Sequence, residues 1–314
     1  MLKVLDLFCG MGGLSYGFKK ANFDVTGFDI NKQVGEAFSL NKIGRFAQKN
    51  LMHSLNDAIL RDIKGSGIIV GGPPCEPWSS LNLTRRRMFH PKYSCMKSYF
   101  RIINKVQPAL FVFENVPGIK KDPNFHKAIQ RIGENDYDIE GRIIKYSDYG
   151  AALSKRRLFV IGIKRELNYS AADLFSKIRK GKPVNVKRRI FDLKDKERDP
   201  SIEHIWPLAR TVNRYREYYN TGKYGWYILR WDAPAPSFGN VTKTYTLHPG
   251  SFNGGKTRPI SVLEALRIIG FPNYHFPPKF SMKIKYEMIS DSVPTAFSTK
   301  LAKAIKKEVF SQNN

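Results

Sequence analysis

The 314-residue chain is short of cysteine, of acid and of long apolar runs. Its only cysteines are Cys9, Cys75 and Cys95. Three thiols cannot build a four-cysteine zinc site, and the paired Cys/His spacing of a mixed site is missing. So few thiols, odd in number, suit a reducing compartment and argue against a disulfide framework. No stretch approaches the roughly 18 apolar residues of a spanning helix. The opening MLKVLDLFCG carries no secretory h-region and reads as a strand, so a cytoplasmic location is expected. Acidic residues number 27 against 53 Lys and Arg, a net charge of +26. Self-repulsion of that size opposes compaction, so a polyanionic partner is called for. Nucleic acid is the natural one. On charge alone, a ribosome-like structural role and an anionic membrane surface remain rivals.

What is present has two characters. The first half alternates strand-like and helix-like segments, with strands over 3–8, 24–28, 68–70, 109–113 and 158–163. Helices are expected over 14–20, 32–40 and 94–106, which together predict a parallel α/β sheet. After about Lys164 the periodicity fades. Residues 179–260 are rich in Arg, Lys, Tyr, Trp, Pro and Gly, and TVNRYREYYNTGKYGWYILRW interleaves cations with aromatics. That composition suits contact with nucleic acid, and equally an irregular domain whose aromatics form its own core. Helices return at 261–269 and 295–307. There is no internal repeat.

Three short stretches carry chemistry. In DLFCGMGGLSYG, Gly10 and Gly12 fall between a strand and a helix, and Asp29 ends the next strand. Glycines there admit a ligand to the backbone, the helix start offers N–H groups, and the acid can bind ribose hydroxyls. Ser15 stands where a dinucleotide fingerprint has its third glycine, so a nicotinamide cofactor is less well supported. In IIVGGPPCEPWSS two prolines restrict the turn that ends in Cys75. A small buried cysteine would be inert there. A thiol presented beyond a strand end can instead be a nucleophile if nearby cations lower its pKa. In ALFVFENVPG, Glu114 ends an apolar run, where partial burial would let it hold a proton.

These stretches resemble the motifs of the cytosine-5 DNA methyltransferases of the restriction–modification type. DLFCGMGG resembles the family's cofactor loop, GGPPCEPWSS its nucleophile loop and FENVPG its glutamate motif. DYGAALSKRRLFVIGI resembles its basic motif, and RPISVLEALRIIGFP and SDSVPTAFSTKLAKAI its two closing motifs. Together they cover nearly the whole chain in the family's order. The resemblance implies an α/β, Rossmann-like fold with a mixed, mostly parallel sheet and a small irregular target-recognition domain. It implies a catalytic domain over 1–165 completed by 281–314, with target recognition over 166–280.

The implied chemistry is methyl transfer from S-adenosylmethionine to C5 of a flipped cytosine in double-stranded DNA. Cys75 would add to C6, Glu114 would stabilise the adduct, and Lys155 and Arg157 would contact the flipped nucleotide and the nucleophile region. Cofactor contacts would come from Phe8, Gly10, Gly12, Asp29, Asn50, Pro73 and Ser292. DNA contacts would come from Arg85, Arg86 and Arg87, and base reading from Arg210, Asn213, Arg214, Arg216, Lys223 and Lys243. A monomer is expected, with a cognate restriction endonuclease acting on the same site as the implied partner. The chain departs from the family at Leu153, where a glutamine is usual, and at Lys155, where an arginine is usual. It departs again at Asn50, in place of an acid, and at Met288, Ser290 and Asp291, in place of Gln, Gly and Asn. Three alternatives stand beside this reading. A tRNA cytosine-5 methyltransferase would show Cys-Phe-Thr in its target region, which is not found. A silent DNA-binding relative would not need an intact Pro-Pro-Cys, and an NAD-dependent oxidoreductase would leave the net charge unexplained.

Overall fold

The computed structural model describes residues 2–52, 67–79, 89–208, 212–221, 226–238 and 245–311. By contacts the chain divides into two units, Met1–Ile144 with Arg156–Arg179 and Ser298–Asn314, and Lys145–Lys155 with Lys180–Phe297.

The first unit is built on a seven-stranded sheet of order β3-β2-β1-β4-β5-β7-β6. The strands are β1 (Lys3–Leu7), β2 (Asp24–Asp29), β3 (Arg45–Gln48), β4 (Ile68–Gly71), β5 (Leu110–Asn115), β6 (Tyr137–Lys145) and β7 (Arg156–Lys164). Strands β3 to β5 pair in parallel, whereas β7 runs antiparallel to β5. The sheet is therefore mixed and mostly parallel, as the family resemblance implies, rather than wholly parallel as the strand–helix alternation alone suggests. Its central strands are buried on both faces, which explains their unbroken apolar runs. Helices α1 (Gly13–Lys20), α2 (Lys32–Leu40), α3 (Tyr93–Val106), α4 (Pro123–Gly133) and α5 (Ala171–Lys177) complete the α/β alternation. Trp78, Tyr93, Tyr99, Phe100, Phe113 and Phe125, together with Met96, belong to one buried, largely aromatic cluster.

The chain leaves β1 toward β2 on one side, while β4 lies on the other. The order of strands reverses here, and Leu7 is the register partner of Gly71. In an open α/β sheet ligands bind beyond the carboxyl ends of strands at such a point. A Cβ on Gly71 would lie 2.4 Å from the Leu7 carbonyl oxygen, so only glycine allows β4 to end so close to β1.

The second unit contains α6 (Lys187–Ile190), α7 (Arg216–Thr221), α8 (Val262–Ile269) and α9 (Met282–Asp291); α10 (Thr295–Ala304) begins in it. Residues 281–297 group with this unit by contacts. Ser261 starts α8 with a reciprocal capping box to Glu264. Arg258 grips the same Glu264 through two 2.7 Å bonds, both side chains being buried. Tyr215, Tyr219, Trp226 and Phe252 pack around Val212 and Leu247. These aromatics thus make a small core, the second of the two roles their composition allows. After α10 the helix widens into a π-turn over Ile305–Phe310 rather than continuing as a regular helix to 307.

Candidate active site

The loop after β1 is shaped by three left-handed residues, Phe8 (φ 60), Gly10 (φ 52) and Gly12 (φ 92). That run turns the chain back into α1, which carries no side-chain cap at Gly12. The first amides of α1 thus retain their positive potential. A Cβ on Gly10 would meet nothing within 4 Å, so the loop faces open space. Below it, the buried Asp6 carboxylate accepts from the Ser15 hydroxyl at 2.6 Å and the Ser15 amide at 3.1 Å. Burial pushes its pKa up to about 7 against the pull of those bonds. Ser15, which breaks the dinucleotide pattern, is thereby the fastener between β1 and α1.

Asp29 lies at the carboxyl end of β2. Its Oδ2 accepts the Gly10 amide at 3.2 Å and its Oδ1 the Asn31 amide at 2.9 Å. Partial burial raises its pKa, opposed by these bonds and by the charge of Lys92. Asn50 follows β3 and turns its Oδ1 onto the Met52 amide at 3.0 Å. Arg101 of α3 holds the same turn through the Leu51 and Met52 carbonyls, at 3.1 and 3.2 Å. Phe8, Gly10, Gly12, Asp29 and Asn50 therefore line one sheet edge.

The three thiols differ sharply. Cys9 is buried, and burial drives its pKa well above the usual value. Cys95 is buried in α3, and burial pushes it up to about 11. Cys75 alone is part-exposed. It opens a short 3₁₀ turn, Glu76–Trp78, whose Trp78 amide donates to the Cys75 carbonyl at 3.0 Å.

Two contacts join this loop to the glutamate motif, about 40 residues away in sequence. A Cβ on Gly72 would lie 2.8 Å from Glu114 Oε2, so the loop backbone rests directly on the carboxylate. The buried Asn115 donates its Nδ2 to the Pro73 carbonyl at 2.9 Å. Its Oδ1 accepts the Val116 amide at 2.9 Å, which orients the donor. Asn115 is a site residue whose role the sequence did not disclose; its place in ENV, beside Glu114, was the available signal. Arg157 at the start of β7 pairs with Glu114, Nε to Oε1 at 3.2 Å, and both side chains are largely buried. The antiparallel β5–β7 register makes this possible, since it sets Asn115 opposite Leu158.

The remaining predicted residues belong to the second unit or fall outside the described residues. Lys155, in the second unit, is buried and donates to the Ser290 carbonyl at 2.5 Å, near the end of α9. Ser292 follows that helix as its C-cap. Asn213, Arg214 and Arg216 are exposed, and the Arg216 guanidinium sits 4.8 Å from the Phe252 ring centre. Arg85, Arg86, Arg87, Arg210, Lys223 and Lys243 lie outside the described residues.

The open loop after β1, the part-exposed cysteine after two prolines and the buried Glu–Arg pair all lie at the carboxyl ends of the parallel strands, where α/β enzymes place their ligand sites. The chain belongs to the C-5 cytosine-specific DNA methylase family, which it matches over residues 2–307. It is 27% identical to the type II methyltransferase M.FnuDI of Fusobacterium nucleatum, with 97% of this chain and 94% of that protein covered. It is also 27% identical to M.MthTI of Methanothermobacter thermautotrophicus, over 98% of both. The fold is similar to those of the Entamoeba histolytica methyltransferase EhMeth and the S. pombe Dnmt2 methyltransferase, with TM-scores of 0.76 and 0.71. Identity to each is 17%, and 98% of every chain is covered.

Proposed function

We propose that the chain transfers a methyl group from S-adenosylmethionine to C5 of a flipped cytosine in a specific duplex DNA sequence. It would serve as the modification half of a type II restriction–modification system. The observation that carries this reading is the part-exposed Cys75, on a loop that rests on Glu114 while Glu114 pairs with Arg157.

The loop after β1 fits the cofactor. It offers open space over Gly10, the uncapped start of α1 and an acid at the end of β2. Phe8, Gly10, Gly12, Asp29, Asn50 and Pro73 would hold the nucleoside and its chain, with Ser292 toward the methionine end. The cofactor supplies an electrophilic methyl group, which carbon, a poor nucleophile in cytosine, attacks only once the ring is activated.

Activation is the task of the protein. The Cys75 thiolate forms a bond to C6, and the C5–C6 π electrons move to make C5 nucleophilic. Glu114, carrying a proton, donates it to N3 while its other oxygen accepts from the exocyclic amine, and so neutralises the negative charge that thiolate addition puts on the ring. Arg157 keeps Glu114 aimed and supplies positive charge at the same edge. After transfer, loss of the C5 proton to a base expels the thiolate and restores the C5–C6 double bond. The prolines and Asn115 hold the thiol's loop in place before the reaction. Extruding the base costs a few kcal/mol, which phosphate contacts from a cationic protein offset. The exposed Asn213, Arg214 and Arg216 stand in the region proposed to read base edges.

Duplex DNA containing 5-fluorocytosine tests the mechanism, because fluorine cannot leave as the proton does. Wild type should be trapped as a covalent complex, and Cys75→Ser should bind the same DNA without trapping or methylation. An active preparation that forms no adduct would refute the covalent route. Bisulfite sequencing of DNA from expressing cells, with tRNA assayed in parallel, identifies substrate and sequence context.

A further inference from the structure

Trp78 lies three residues after Cys75 and is buried. Its indole Nε1 donates to Asp122 Oδ2 at 2.7 Å. The Tyr93 hydroxyl, from the first residue of α3, donates to the other oxygen, Oδ1, at 2.9 Å. The Asn124 amide reaches Oδ1 as well, at 2.9 Å, because Asp122 is the N-cap of α4. Asn124 Nδ2 donates to the Tyr93 hydroxyl at 2.8 Å, so that hydroxyl is committed to donating toward Asp122. The Trp78 and Tyr93 rings lie 5.4 Å apart. On the other side, a Cβ on Gly118 would come within 2.6 Å of the Trp78 carbonyl oxygen. The turn that begins at Cys75 is thus held at its far end as tightly as Asn115 holds its near end.

We infer that Asp122 is a positioning residue for the Cys75 nucleophile, acting through the Trp78 indole. It is 4% exposed. A carboxylate so placed would ordinarily be driven toward its neutral form; here burial does raise its pKa, but the bonds from Trp78, Tyr93 and the α4 amides outweigh burial and leave it lowered. The group stays anionic, Oδ2 taking the indole N–H and Oδ1 both the Tyr93 hydroxyl and the Asn124 amide. Only a carboxylate can do this, since an indole N–H donates and cannot accept. The Cys75 carbonyl accepts the Trp78 amide, so a shift of Trp78 is transmitted to the thiol's own residue. Displacement of a reacting group by about 1 Å can cost roughly 100-fold in rate.

This rests on the proposal that Cys75 forms the covalent adduct, and the test keeps the two separable. Asp122→Asn preserves a good N-cap but sets an amide NH₂ against the indole N–H. The rate constant of adduct formation on 5-fluorocytosine DNA, normalised to active sites, should fall roughly 10–100-fold. Affinity for S-adenosylmethionine should not change. Trp78→Phe should also slow the step, and the double variant should be no slower than Asp122→Asn alone, because the unpaired donor is gone. A merely structural role would lower the yield of active protein and leave the normalised rate constant intact. A wild-type rate constant in Asp122→Asn would overturn the inference. So would effects that multiply in the double variant, or, should Asp122→Asn not fold, a wild-type rate constant in Trp78→Phe. Absence of adduct in the wild type would remove Cys75 as nucleophile and the inference with it.

Discussion

Gly72→Ala probes the junction of the two catalytic motifs. The added Cβ would stand 2.8 Å from Glu114 Oε2, where ordinary contact begins at 3.4 Å. The carboxylate must therefore retreat by about 0.6 Å, or the loop must lift by as much. What yields is the end of a side chain rather than backbone, so the cost in stability should be small, about 1 kcal/mol or less. The cost in rate is larger. Glu114 cannot retreat without altering its 3.2 Å pair with Arg157, and the loop cannot lift without stretching the Asn115–Pro73 bond. If about 1 Å of misplacement costs roughly 100-fold, 0.6 Å should cost on the order of 10-fold. Single-turnover methylation of a hemimethylated or unmodified duplex at saturating cofactor gives this rate directly. Thermal unfolding of the same preparation gives the stability. A Gly72→Ala enzyme with wild-type single-turnover rate would refute the coupling between the loop and Glu114. So would a loss that vanished at high S-adenosylmethionine concentration.

Glu114→Gln should lower the single-turnover rate about 100- to 1000-fold, the usual effect of one transition-state contact, and barely change cofactor affinity; a near-normal rate would make Glu114 a loop residue. Alanine at Asn213, Arg214 and Arg216, assayed on randomised duplexes, should relax one position of the target at each true base reader, while a uniform loss on all sequences would mark a phosphate contact. The second unit should lose stability in acid through His248. Burial, aided by Arg258 and opposed by Glu264, lowers its pKa to about 4. An unfolded chain protonates this histidine near 6.5, so the loss begins there, grows as pH falls toward 4 and then levels off, reaching at most about 3 kcal/mol. Urea titrations of wild type and His248→Gln between pH 4 and 7 check it, and parallel curves would exclude the effect.

The sequence by itself determined the central elements of the sheet and the short motifs that make up the candidate site. Continuous apolar runs in β4 and β5 and the glycine-bounded α1 mark the α/β sheet because period and turn residues are local properties. Pro73-Pro74-Cys75 and Glu114-Asn115-Val116 are legible because each motif is contiguous. Short or solvated elements were not predicted. The strand β3 has only four residues, β6 lacks a clean alternation, and the helix α4 begins with Pro123 directly after the polar Lys120-Lys121-Asp122. Aromatics after residue 212 admitted two roles, and only packing assigned Tyr219 and Trp226 to a core.

Tertiary structure decided everything that depends on distant segments meeting. Lys155 and Arg157 are two residues apart and look equivalent as cations. The antiparallel β5–β7 pairing sends Arg157 to Glu114, whereas Lys155 is grouped with the second unit and caps the Ser290 carbonyl. Cys9, Cys75 and Cys95 are equivalent as letters. Burial chiefly separates them, raising the pKa of two thiols and leaving the third accessible, since desolvation is set by neighbours that no local pattern specifies. The same holds for Asn115 and Asp122, whose partners Pro73 and Trp78 lie about 40 residues away and become visible only when β4 and β5 stand side by side.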